Sequence, residues 1–188
     1  MTLDGPPDAG GDATLLKYYK AMRRLGYYVG PYNNYTDYSP LGKSWKEENL
    51  CRFGTGEWQR VWPPCFGIRA LKAAEMAAYY APAQVRKYGV NATYCDVHTS
   101  VQPWWNVDFQ VGNPGAGKFR TTFEAYGRVL MTQREAYKGP AVSEGGHHCF
   151  YSGLIDGSYG QMGLPDPSHQ PLLMDFDLRK MHPKGADV

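Results

Sequence analysis

The sequence has no cysteine pair at metal or redox spacing. Its four cysteines, Cys51, Cys65, Cys95 and Cys149, lie far apart without a CxxC, which argues against a zinc ribbon or a dithiol motif. No apolar run approaches the ~20 residues needed to cross a bilayer. Charge of one sign is also lacking: 20 Lys and Arg face 18 Asp and Glu for a net +2, and the cations are scattered. Neither a nucleic-acid partner, which would need a basic stripe, nor a membrane-spanning segment is therefore expected. The opening MTLDGPPDAGG has neither a charged n-region nor an apolar h-region. It therefore shows no signal peptide and leaves the compartment open. The Gly/Pro content of residues 1–11 predicts a disordered start, with a single globular unit over 12–188. What the chain has in quantity is aromatic: 15 Tyr, 7 Phe and 5 Trp in 188 residues.

Periodicity predicts helix, strand, helix, strand, helix, strand, loop, strand. Helical spacing covers 12–25, 68–88 (an Ala-rich run that continues past Pro82) and 119–137, with Gly26, Gly89 and Gly139-Pro140 as stops. Strands are expected at 27–32, 91–97, 141–144 and 172–178. Strands alternating with helices indicate parallel βαβ units. The loops are lopsided: helix-to-strand links take a few residues, whereas strand-to-helix links take about twenty to thirty, and loops that long are usually functional. All of them emerge at the carboxyl ends of the strands, where α/β folds place their sites. Four strands do not close a (β/α)8 barrel. The expected fold is thus α/β, a partial (β/α)8 (TIM) barrel of about four parallel strands. A complete small α/β sheet is the alternative.

Two acids end strands in corresponding places, Asp96 in ATYCDVHT and Glu144 in AVSEGG. Asp is disfavoured inside strands, so each either caps the strand end structurally or faces a site. On adjacent parallel strands the backbones lie ~4.8 Å apart, close to the 5–5.5 Å carboxyl separation of retaining glycosidases. All five tryptophans, Trp45, Trp58, Trp62, Trp104 and Trp105, fall in strand-to-helix loops. Flat indoles suit sugar rings, although large loops also need small cores of their own. Trp62, Trp104 and Trp105 are taken as substrate-binding candidates. Tyr32, Asn33 and Asp37 in PYNNYTDYSP are further candidates past the first strand, with an Asx-turn as the alternative for Asp37. His98, His147, His148 and Asp108 complete the set. With Asp96 these could form a metal site, but no HxH follows a first strand, no HExxH occurs, and adjacent His147 and His148 would point opposite ways if extended. No metal or organic cofactor is therefore expected. GNPGAGK at 112–118 lacks the phosphate-loop frame because Phe119 follows Lys118, and reads as a turn into a helix.

YCDVHT, PWWNVDF, FRTTFEAYGRVLMTQREA and GPAVSEGGHH together resemble the middle of a glycoside hydrolase (β/α)8 barrel. They are most similar to the endo-α-N-acetylgalactosaminidase-like barrels and related uncharacterised bacterial families, which are in turn related to the α-galactosidase and α-glucosidase barrels. The resemblance covers roughly residues 12–180, with Tyr94-Cys-Asp-Val and Ser143-Glu-Gly as its specific part. It implies an Asp nucleophile ending one strand and a Glu acid/base ending the next, at Asp96 and Glu144. It further implies a carbohydrate substrate, an O-glycan or polysaccharide, and activity in a full-length chain of which this is a fragment. The lack of a first and a last strand is its main departure. The alternatives are a non-catalytic carbohydrate-binding barrel and a metal-dependent barrel hydrolase.

Overall fold

The computed structural model describes residues 3–159. Of the Gly/Pro-rich opening, Pro7–Ala9 form a 3-10 turn, and the Leu3 carbonyl accepts hydrogen bonds from Lys87 and Tyr88, each at 2.7 Å. Helix α1 spans Gly11–Arg24. Strand β1 (Tyr32–Asn34) follows, then β2 (Asp37–Tyr38) and β3 (Phe66–Gly67). Helix α2 (Ala70–Tyr88), β4 (Thr93–Asp96), α3 (Phe119–Tyr137), β5 (Ala141–Glu144) and β6 (Gly157–Tyr159) complete the order. The sheet β1-β4-β5-β6 is parallel throughout, with α2 and α3 as crossovers. This is the architecture of part of a (β/α)8 barrel.

The helices form where the spacing places them. On α2 the buried residues Ala70, Ala73, Ala77, Ala81, Gln84 and Tyr88 make a stripe recurring every three or four positions, with Ala83 buried beside it. Alanines let α2 lie close to α3. Gly89 ends it at φ 64°, the left-handed cap that glycine adopts without strain. On α3 Thr122, Tyr126, Val129, Leu130, Gln133 and Tyr137 make the matching stripe. Ala70, Ala73, Ala77, Tyr126, Val129 and Leu130 join Cys95, Ile68 and Leu50 in the main core under one face of the sheet, while Ala81, Tyr88 and Tyr137 form a second cluster with Tyr19, Val29 and Val90.

One strand differs from expectation, and one was not expected. The first lies at 32–34 rather than 27–32, because Gly30-Pro31 interrupts the run. Pro31 has no N–H to donate, and a Cβ at Gly30 would sit 1.5 Å from the Ala92 carbonyl oxygen. The expected strand at 172–178 lies outside the described residues. The fourth strand of the parallel sheet is Gly157–Tyr159, three residues with no apolar period to announce it. The irregular segment after β1 also carries its own structure: β2 and β3 pair antiparallel, and the bridges Leu50–Ile68, Arg52–Trp58 and Arg60–Phe66 extend the pairing.

Alternation splits the sheet into two unlike faces. Asn33, Thr93, Cys95, Ala141 and Ser143 are buried against the helices. Tyr32, Asn34, Tyr94, Asp96, Val142 and Glu144 point the other way and are half-buried or exposed.

Candidate active site

The parallel register sets Cys95 opposite Ser143, so the next residues, Asp96 and Glu144, lie side by side at the carboxyl ends of β4 and β5. Both line a cavity of about 520 Å³ together with Tyr32, Asp37, Trp62 and Trp105. Arg60, Thr36, Val97 and Ser100 also contribute to its wall.

Three side chains hold Asp96. The Tyr32 hydroxyl donates to Oδ2, the Asn34 amide donates to the same oxygen at 3.3 Å, and the Tyr94 hydroxyl donates to Oδ1 at 3.2 Å. Although the Tyr32 ring is largely exposed, its phenol is pushed up to about 12, first by desolvation and then by the hydrogen bond to Asp96. It therefore stays a donor. Asp37 lies beyond Asn34, accepting from the same amide at 2.9 Å. Burial raises its pKa, and the hydrogen bonds from Asn34 and Thr36 oppose that rise.

Glu144 Oε2 accepts the Val97 backbone N–H at 3.1 Å. Val97 sits at φ 68°, a left-handed conformation that costs a non-glycine residue roughly 1–2 kcal/mol. A β-branched residue there is a backbone outlier, and the strain turns the N–H onto the acid. The Thr99 hydroxyl donates to the Glu144 carbonyl and ties the two strand ends together.

The other candidates divide. Trp62 and Trp105 line the cavity with exposed rings. Trp104 lies outside its wall, packed against Phe150 (5.3 Å) and Phe119 (6.1 Å). Trp45 and Trp58 are partly buried and pack against the main core. Asn33 is not in the mouth. It is 1% exposed on the helix side of the sheet, because strand parity sends it opposite to Tyr32 and Asn34. His98 is not in the mouth either: it is wholly buried against Tyr126 (ring centroids 4.5 Å apart) and Tyr35. The left-handed Val97 flips the alternation that would have carried its ring into the cavity. Desolvation lowers its pKa to about 3, so it is neutral. Asp108 is a loop staple, accepting the N–H groups of Arg52 and Gln110 at 3.0 Å and the Asn113 amide at 2.7 Å. His147 Nδ1 lies 2.8 Å from the Ser100 carbonyl, and His148 opens the 3-10 turn 148–151. Neither histidine lines the cavity. Among the described residues no group of three His, Cys, Asp or Glu could hold a metal ion.

Sequence reasoning missed Asn34, Tyr94, Thr36 and Arg60. The period-two pattern carried a signal for Tyr94, two residues before Asp96. The parity of Asn34 was hidden by the misplaced start of β1.

No protein-family model and no curated protein sequence matches the chain. Its fold is similar to that of the α-N-acetylgalactosaminidase NagBb from Bifidobacterium bifidum. For the complex of that protein with Gal-NHAc-DNJ the TM-score is 0.68, with 16% identity over 83% of this chain and 25% of NagBb. For its GalNAc complex the TM-score is 0.61, with 18% identity over 73% of this chain and 22% of NagBb. An α-amylase from Malbranchea cinnamomea is similar at TM-score 0.51 and 12% identity, over 79% of this chain and 33% of the amylase. The likeness is one of fold, to glycoside hydrolase barrels. The chain spans between about a fifth and a third of the length of these proteins.

Proposed function

We propose that this chain is the acid-bearing part of a retaining glycoside hydrolase, with Asp96 as nucleophile and Glu144 as acid/base. One observation carries the reading: the register of Cys95 with Ser143 brings the two acids together at one end of the sheet, over one cavity. Adjacent strands spaced ~4.8 Å apart are compatible with the 5–5.5 Å of a retaining pair. An Asp96 oxygen attacks the anomeric carbon as the glycosidic C–O bond breaks, and Glu144 gives its proton to the leaving oxygen. Water then attacks the same carbon, giving its proton to the Glu144 carboxylate, and the Asp96 carboxylate is released.

Trp62 and Trp105 offer indole faces to the sugar, and Asp37 accepts from its hydroxyls. The substrate class we infer is an O-glycan linked through α-N-acetylgalactosamine, supported by the sugar named for the complexes of the similar fold. The test is hydrolysis by the full-length protein of a panel of 4-nitrophenyl glycosides, with the anomeric configuration of the first product read by NMR. Cleavage of the α-N-acetylgalactosaminide with retention is expected. Inversion would replace the nucleophile role of Asp96 with base catalysis on water. Binding without cleavage of any member would leave a carbohydrate-binding module instead.

A further inference from the structure

Asn34 was absent from every functional expectation, yet its side chain binds two of the acids that line the cavity, Asp37 and Asp96. Its Oδ1 accepts the Thr36 N–H at 2.9 Å, the Thr36 hydroxyl at 2.9 Å and the Asp37 N–H at 2.8 Å. Three donors on one oxygen settle which end of the amide is which, because a flipped amide would set its NH2 against two backbone N–H groups. The NH2 is thereby aimed at two carboxylates, Asp37 Oδ2 at 2.9 Å and Asp96 Oδ2 at 3.3 Å.

The two oxygens of Asp96 are consequently unlike. Oδ2 accepts from both Asn34 and Tyr32. Among the described residues Oδ1 accepts only from Tyr94, at 3.2 Å. A lone pair committed to a donor is a poorer nucleophile than a free one.

We propose that Asn34 is a positioning residue that, with Tyr32, anchors Oδ2 of Asp96 and leaves Oδ1 as the oxygen that attacks the anomeric carbon. The inference rests on the retaining reading above and assigns chemistry within it. When the Oδ1–carbon bond forms, Oδ2 becomes the carbonyl oxygen of an ester, a weaker acceptor than a carboxylate oxygen. When water breaks that ester, charge returns to Oδ2 and its hydrogen bonds strengthen. The two donors therefore favour the second step, release of the Asp96 carboxylate, over the first. Their loss makes Asp96 a better nucleophile and a worse leaving group.

That asymmetry has a kinetic signature that misfolding does not share. With a 2,4-dinitrophenyl glycoside the first step needs little acid assistance, so kcat reports ester breakdown and kcat/KM reports ester formation. In the full-length protein Asn34→Ala should lower kcat about tenfold, lower KM by a similar factor and leave kcat/KM within about threefold. A pre-steady-state burst of dinitrophenolate should accompany the change. Asn34→Ser keeps a side-chain oxygen that can accept the Thr36 N–H in a turn and removes the amide donor without adding a charge beside Asp37 and Asp96. It should give the same split, and it serves if the alanine variant folds poorly. If either folded variant loses kcat/KM in step with kcat and shows no burst, Asn34 is merely structural and the assignment of Oδ1 is overturned. Asp96→Asn separates the two levels. An inactive Asp96→Asn alongside such Asn34 variants sinks this inference alone, whereas an active one sinks the retaining reading and this inference with it.

Discussion

Asn33 and Asn34 are the same residue type one peptide bond apart, and the sheet gives them opposite surroundings. Asn33 enters the helix layer. There its amide donates to Thr93 at 2.9 Å, to Tyr137 at 3.1 Å and to Gln133 at 3.3 Å, and its carbonyl oxygen accepts from Gln84 at 2.9 Å. Tyr137 donates onward to Gln84. This closed network pins β1 to β4, α2 and α3, and no water is needed to satisfy it. Asn34 lies on the cavity side of the sheet, where its donor end serves two carboxylates that line the cavity. Role here follows from strand parity, not from residue type. A buried, fully paired amide acts on stability, and an amide over a cavity acts on chemistry.

The comparison can be broken at its strongest point first. Asp96→Asn, on the cavity face, should lower kcat/KM of the full-length protein by at least about a thousandfold while thermal unfolding changes little. A variant with unchanged turnover would make the cavity face structural after all. Glu144→Gln should slow poor leaving groups by roughly 10²–10⁴-fold and activated aryl ones far less, as Hammett-type leaving-group series would show. Asn33→Ala, on the opposite face, should do the reverse. It strands the Gln84, Gln133, Thr93 and Tyr137 groups in the core, at a cost of about 2–4 kcal/mol in urea unfolding. The folded fraction should keep its kcat/KM. A loss of activity without a loss of stability would dissolve the distinction between the two asparagines.

The smallest effect concerns His98 and pH. Its folded pKa is about 3 against an ordinary 6.5, because burial disfavours the imidazolium. Below pH 6.5 the unfolded chain binds a proton there that the folded protein refuses until about pH 3. Stability therefore falls as pH falls through that window, by at most about 1.4 kcal/mol per pH unit from this group. His98→Phe should flatten the unfolding free energy against pH between these limits relative to the wild-type chain. An unchanged slope would mean that the ring is hydrated or paired in solution.

Much of this was legible before the structure. The helices announced themselves through three-and-four spacing and glycine stops. Asp96 and Glu144 stood out because an acid is out of place at the end of an otherwise buried run. What was not legible turns on single backbone events. Gly30-Pro31 moved the start of β1 and with it the parity that separates Asn33 from Asn34. One left-handed residue, Val97 at φ 68°, sent His98 into the core, though it follows Asp96 by two positions and read as its neighbour in the cavity. Asp108 looked like a site acid, but loop N–H groups 56 and 2 residues away in sequence occupy it, and no local pattern encodes the longer of those contacts. The three residues of β6 are recruited by pairing with β5 and have no period of their own.

The pairing of Asp96 with Glu144 as nucleophile and acid/base is tested most directly by trapping. The full-length protein would be incubated with a 5-fluoro-α-N-acetylgalactosaminyl fluoride, digested and analysed by mass spectrometry. Our account predicts one glycosyl adduct, on the Asp96 carboxylate within the peptide that carries Tyr94-Cys-Asp-Val, with none in Asp96→Asn. An adduct on a different acid, or none in an enzyme that turns over the parent glycoside, would contradict it.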